Sequence, residues 1–246
     1  MKIVFLMLLF SSTLLADTIV LEADNWCPYN CDPADKNPGY MVEVAKHVFE
    51  KAGHKIEYKT VSWNRALQDA ENGDVAGVIG ASIFDLSNGH RSTEIIGQNN
   101  ECFFVKAGSD FVYKTVDQLK GKKIGTVGGY TYTDVVNEYM KKNSQSFDPV
   151  QGDKAVTTNM KKLLAGRVDV VIENEHVFKY TAAKEKSDAE FKNAGCNPPD
   201  ALYIAFSFKN PKSKEYAKIL NDGMIALRKS GELKTILDKY GIKDWK

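Results

Sequence analysis

Only four cysteines and seven prolines stand among the 246 residues. That is too little cysteine for a disulfide-dense scaffold. No Cys-x-x-Cys or paired-histidine spacing offers a structural metal site. His47, His54, His90 and His176 are scattered, and surface or capping roles account for them. Net charge is nearly absent, since 33 Lys+Arg face 32 Asp+Glu for a formal +1. Such a balance leaves no electrostatic footprint for nucleic acid or for an anionic membrane surface. After the first ten residues, no apolar run approaches the roughly 18 residues of a membrane span. No Gly/Ser/Pro-rich linker divides the chain. What remains is 43% hydrophobic and 26% charged, which excludes disorder, collagen and coiled coil. The length suits one large or two smaller domains.

The first recognisable segment is an address. Met1-Lys2 gives a positive start, Ile3 to Phe10 is apolar throughout, and Ser11 to Ala16 carries small residues to a cleavage point after Ala16. Residues 1–16 read as a secretory signal peptide, too short and too weakly flanked for a spanning helix. No cysteine follows to carry a lipid anchor. Export to an oxidising compartment permits disulfides, and four cysteines allow three pairings if all are bridged. Cys27 and Cys31 flank Pro28 and Asn30, residues that favour a tight turn able to bring the two Cα atoms together, so this pair is the expected bridge.

Strands and helices alternate along the rest. Thr18–Ala23 is a short apolar run, and Trp26–Pro38 a loop. From Tyr40, the apolar Met41, Val44, Ala45, Val48 and Phe49 recur at helical spacing, with Gly53 as the closing cap. Lys55–Val61 follows as a strand, Trp63–Asn72 as a helix and Val75–Ile79 as a buried strand. The alternation repeats: strands at Cys102–Ala107, Lys123–Val127, Val168–Ile172 and Leu202–Phe208, and helices at 133–142, 157–165, 175–186, 214–229 and 232–240. Such order implies α/β architecture, mostly parallel sheets covered by helices on both faces.

Trp26-Cys27-Pro28-Tyr29, Pro38-Gly39-Tyr40-Met41, Trp63-Asn64-Arg65-Ala66-Leu67 and Gly73-Asp74-Val75 follow one another along the chain. Asp117 to Gly125, Gly128-Gly129-Tyr130-Thr131, Gly166-Arg167-Val168-Asp169 and Ser230-Gly231-Glu232-Leu233 continue the series. In this order they resemble the family-3 periplasmic solute-binding proteins, receptors for polar amino acids and related molecules that feed ABC transporters. The resemblance implies the type II periplasmic binding fold: two doubly wound α/β lobes joined by two crossing hinge strands, with ligand in the cleft between. Carried over, Cys102–Lys106 and Ile204–Phe208 are the crossings, 17–103 with 207–246 form the first lobe, and 104–206 the second. Cys102 and Cys196 would then lie at opposite ends of an antiparallel ladder, as free thiols.

Trp26 and Tyr29 follow the first strand at its carboxyl end, where open α/β sheets bind ligands; they offer stacking faces, or else fill the loop core. Trp63, at the start of a helix, is a further ligand-binding candidate. Of the four arginines, Arg167 and Arg228 lie in solvated turns or helix tails, whereas Arg65 and Arg91 are candidates to grip a carboxylate. Arg91 best matches the family arginine, although residues 85–90 lengthen its loop and the Thr-x-x-Arg lead-in is missing. Gly129, Tyr130 and Thr131 stand between a strand and a helix, an anion site if the helix N-terminus is free, or an ordinary glycine turn. Five residues beyond Asp169 the family places an acid for the ligand ammonium. Here Asn174 stands, with Glu173 before it and Glu175 after. The amide removes the charge pairing and points away from a simple α-amino acid, while Glu175, opening the next helix within reach of the cleft, is the alternative partner for an ammonium.

The resulting expectation is a monomeric, exported, non-enzymatic receptor. It captures a small polar ligand, an amino acid or related carboxylate, for a membrane ABC permease. No cofactor, metal, nucleic acid or membrane insertion enters this reading. The competing classes are a cyclohexadienyl-dehydratase-like enzyme with Glu173 or Glu175 as acid/base, and a ligand-sensing receptor subunit.

Overall fold

The computed structural model describes residues 16–246, so the expected signal peptide lies outside the described residues apart from Ala16. Among the described residues eleven strands form two mixed sheets. β1 (Thr18–Ala23), β2 (Lys55–Thr60), β3 (Gly77–Ala81), β4 (His90–Arg91) and β5 (Gly97–Asn99) belong to the first lobe. β6 (Glu101–Lys106), β7 (Ile124–Val127), β8 (Phe147–Val150), β9 (Val170–Asn174) and β10 (Phe191–Cys196) make the second. β11 (Asp200–Phe206) returns to the first. The sheet orders are β2-β1-β3-β11-β4, with β5 beside β11, and β10-β6-β9-β7-β8. β1 runs parallel to β2 and β3, whereas β11 runs antiparallel to β3, β4 and β5.

Helices cover both sheets: α1 (Tyr40–Lys51), α2 (Trp63–Asn72), α3 (Asp134–Lys142), α4 (Ala155–Leu164), α5 (Glu175–Lys184), α6 (Ser213–Ser230) and α7 (Glu232–Asp238). The apolar stripe of α1 is buried from Tyr40 to Phe49, and Gly53 follows in the left-handed conformation at φ 85°. Leu220, Met224, Leu233 and Leu237 of α6 and α7 join that stripe in one core. In the second lobe, β6 is sandwiched: Phe103 and Val105 face one helix layer, Cys102 and Phe104 the other. Burial on both faces explains its unbroken apolar run. Each such side chain contributes about 1.5–3 kcal/mol.

The crossings differ from expectation. Cys102–Lys106 is an interior strand of the second sheet, and Ile204–Phe206 lies within the first. The chain crosses at Asn100, between β5 and β6, and returns through Asn197-Pro198-Pro199, between β10 and β11. Those prolines cannot donate to a ladder, so the strand breaks there. The lobe boundaries shift accordingly, by a few residues on the outward pass and by several more on the return.

The cysteines follow from this. Cys27 and Cys31 are bridged, with Cα atoms 4.8 Å apart. Cys102 and Cys196, expected as free thiols, are bridged too, at a Cα separation of 4.0 Å. β10 was not anticipated as a strand; its antiparallel register against β6 sets Cys196 directly opposite Cys102. The bridge staples the entry of the second lobe to its exit.

Candidate functional site

At the carboxyl end of β1 the chain enters the loop Asp24–Cys31. An isolated bridge between Trp26 and Asn30, with Trp26 N donating to Asn30 O at 2.7 Å, folds it tightly, and the Cys27–Cys31 bond closes it. Trp26 and Asn30 thereby line the space between the lobes, together with Asp24, Trp63, Ser82 and Asp85 of the first lobe and Tyr130 and Thr131 of the second. This space is the interlobe cleft. A neighbouring space shares Asp24, Trp63 and Tyr130 and adds Asn64, Gln151 and Asp153.

The lobes meet through hydrogen bonds. Trp26 Nε1 donates to Glu173 Oε1 at 2.9 Å, Thr131 Oγ1 donates to Asp85 Oδ1 at 2.8 Å, and the Tyr130 hydroxyl donates to Asp24. Ser82 N and Oγ hold the other Asp85 oxygen at 2.9 and 2.7 Å. Desolvation raises Asp24 to about 6, against the pull of the Tyr130 hydroxyl. Desolvation likewise raises Glu173 to about 7, although Trp26 and the Asn174 N–H stabilise its charge. Burial pushes the Tyr130 phenol well above its ordinary value, so it remains a donor.

Not every expected residue is brought together. Trp26, Trp63, Tyr130 and Thr131 line the cleft. Gly129 (φ 88°) lets the second lobe approach α2; a Cβ there would meet Asn64 Oδ1 at 2.2 Å. Tyr29 is buried behind Trp26, donating to Gln98 O at 2.8 Å, so it fills the loop core. Asn174 is buried as well. Its Oδ1 caps α5, and its Nδ2 donates to Tyr29 Oη at 3.1 Å and Asn99 Oδ1 at 2.9 Å. Glu173 sits behind Trp26 and outside the lining.

The anion-binding expectations are corrected. Arg65 points to solvent, its side chain 60% exposed and paired with Asp69 at 2.7 Å. Arg91 donates to the main-chain oxygens of Ile83 and Asp85, at 2.8 and 3.5 Å, bracing their loop. The start of α3 is occupied by the chain's own carboxylate. Glu101, 1% exposed, accepts from Thr133 N and Oγ1, both at 2.8 Å, and from Asn197 Nδ2 at 2.6 Å. Helix N-termini favour anions, and here the anion is internal. Asp24, Asn30 and Asp85 escaped the sequence reading. Asp24 was accessible to the same strand-end argument that singled out Trp26; Asp85 carries no local signal. One grouping of potential metal ligands exists among the described residues, namely Cys102, Glu175 and Cys196, but its two sulfurs are bonded to each other and offer no thiolate.

Two α/β lobes, two crossings and an interlobe cleft define a type II periplasmic binding fold. The model of the bacterial extracellular solute-binding proteins, family 3, matches residues 19–243, and the chain belongs to that family. It is 25% identical to the probable amino-acid-binding protein YxeM of Bacillus subtilis, over 88% of this chain and 81% of that protein. It is 23% identical to the L-cystine-binding protein TcyJ of Escherichia coli K12, over 83% of this chain and 74% of the relative. The crystal structure of a histidine kinase sensor domain with similarity to periplasmic binding proteins superposes with a TM-score of 0.76, at 18% identity, covering 91% of this chain and 95% of that one.

Proposed function

We propose that the chain is an exported, monomeric solute-binding protein that captures a small polar ligand between its lobes and delivers it to a membrane ABC permease. The observation that carries this is the cleft itself. Trp26, Asp24 and Asp85 come from one lobe, Tyr130 and Thr131 from the other, and each of the three first-lobe groups bonds across. A ligand lodged there touches both lobes, so its binding energy favours the joined arrangement over the separated one. The joined surface is then what a permease reads. The amino-acid-binding and cystine-binding relatives agree with a small polar cargo. Binding without turnover is the preferred reading because Glu173, the carboxyl best poised for proton transfer near neutrality, lies outside the cleft lining.

A thermal-shift screen with amino acids, small carboxylates and polyamines tests the proposal. A ligand at a hundredfold excess over its Kd stabilises by about 2.7 kcal/mol, a shift of several degrees. A flat response to the whole panel would remove the capture reading.

A further inference from the structure

The arginines and the helix N-terminus that the sequence suggested for an anionic ligand lie outside the cleft lining. Arg65 faces solvent beside Asp69. Arg91, outside the cleft lining, gives Nη2 to main-chain oxygens, while its buried Nε has no hydrogen-bond partner among the described residues. The α3 N-terminus holds Glu101. No arginine or lysine is among the residues lining the cleft or the neighbouring space.

Five of the seven donor side chains in the cleft lining are engaged within the protein, Trp63 and Asn99 being the other two. Tyr130 gives its hydroxyl proton to Asp24, Thr131 and Ser82 give theirs to Asp85, Trp26 gives its N–H to Glu173, and Asn30 Nδ2 donates to Ile79 O. What the lining offers beyond these is chiefly acceptor capacity. Asn30 is 1% exposed, lines the cleft, and its Oδ1 has no hydrogen-bond partner among the described residues. A buried acceptor in that state calls for a donor. Asp24 and Asp85 bring carboxylates that only neutral groups have met. Trp26, Trp63 and Tyr130 add aromatic walls, which attract cations over their faces. The neighbouring space adds a further acid, Asp153, beyond the shared Asp24, Trp63 and Tyr130.

We propose that the cleft selects an organic cation lacking a carboxylate, a primary amine, polyamine or guanidinium, whose N–H groups are received by Asp24, Asp85 and Asn30 between the rings of Trp26 and Trp63. This rests on the capture reading above and narrows it. A zwitterionic amino acid brings a carboxylate that would stand among acids with no cationic partner, and burying an unpaired charge is costly. The elevated affinity of Asp24 for protons agrees: it is a carboxylate held in a dehydrated place without a positive neighbour.

Matched pairs that differ only by the α-carboxylate provide the test. Thermal shift and calorimetry on the exported form would compare agmatine with L-arginine, putrescine with L-ornithine, and cadaverine with L-lysine. The expected result is that at least one decarboxylated member binds tenfold or more tighter than its amino acid. Asp85→Asn and Asp24→Asn should each weaken that binding at least tenfold, while the unliganded melting curves report whether the variants fold. Equal or tighter binding by the amino acids, or binding of glutarate, would overturn the cation assignment and leave capture standing. No shift with these probes or with the wider amino-acid panel would overturn both. Should a variant fail to fold, the wild-type pairs alone still decide.

Discussion

Glu173 is 3% exposed, with one oxygen accepting from the Trp26 indole and from its neighbour's N–H, and the other, Oε2, without a partner. Burial raises it from an ordinary 4.5 to about 7. A carboxyl whose folded value lies above its unfolded one binds more protons when folded. Its contribution is therefore full below about 4.5 and is lost as pH rises through about 7. At roughly 1.4 kcal/mol per unit the loss is on the order of 3 kcal/mol. Glu173→Gln keeps an acceptor for Trp26 and removes the charge. Thermal melts between pH 5 and 8 should show the variant gaining on the wild type as pH rises, by several degrees at the alkaline end. Parallel curves would show that Glu173 titrates normally. At this scale the sequence was a partial guide. Asn174 was placed correctly along the chain but misjudged in direction, because its amide turns into the first turn of α5, a choice made by contacts with Tyr29 and Asn99 far away in sequence. Arg91 misled for the same reason: its partners are carbonyls, and a carbonyl leaves no mark on composition.

Elements with strong local periodicity were readable. α1 and α2 fall at Tyr40–Lys51 and Trp63–Asn72, where apolar spacing and a following glycine put them. β4, β5, β8 and β10 were not, since each is short or mixed in polarity and exists through pairing with a distant strand. Missing β10 cost the second disulfide, and with it the position of the crossings. The turn after β7 shows an element boundary serving the site. Gly129 adopts φ 88° while Asn64 of α2 packs against it, so both backbone conformation and space demand glycine. Gly129→Ala should destabilise the protein by about 1–2 kcal/mol through strain, seen in denaturant melts. It should also weaken capture of any cleft ligand, because the added methyl stands where the lobes meet. Asn64→Gly in the same chain should recover part of the binding and none of the strain. Recovery of neither would mean the clash lies elsewhere.

For the whole molecule, the consequence lies in how the chain is threaded. β1 and α7, near its two ends, both sit in the first lobe, and the second lobe is inserted between them. It is entered at Cys102 and left at Cys196, and these two, 94 positions apart, are covalently joined. A load applied at the two ends therefore travels through the first lobe, jumps across one sulfur bridge, and never reaches the second. Stretched between optical tweezers, the oxidised protein should lengthen by about 330 Å less than the reduced one, from a separation of 94 positions at about 3.5 Å each. Adding a thiol reductant under tension should release that length in a separate step. If the oxidised chain pays out in full from the start, residues 102 and 196 are not bonded, and the second lobe hangs from its crossings alone.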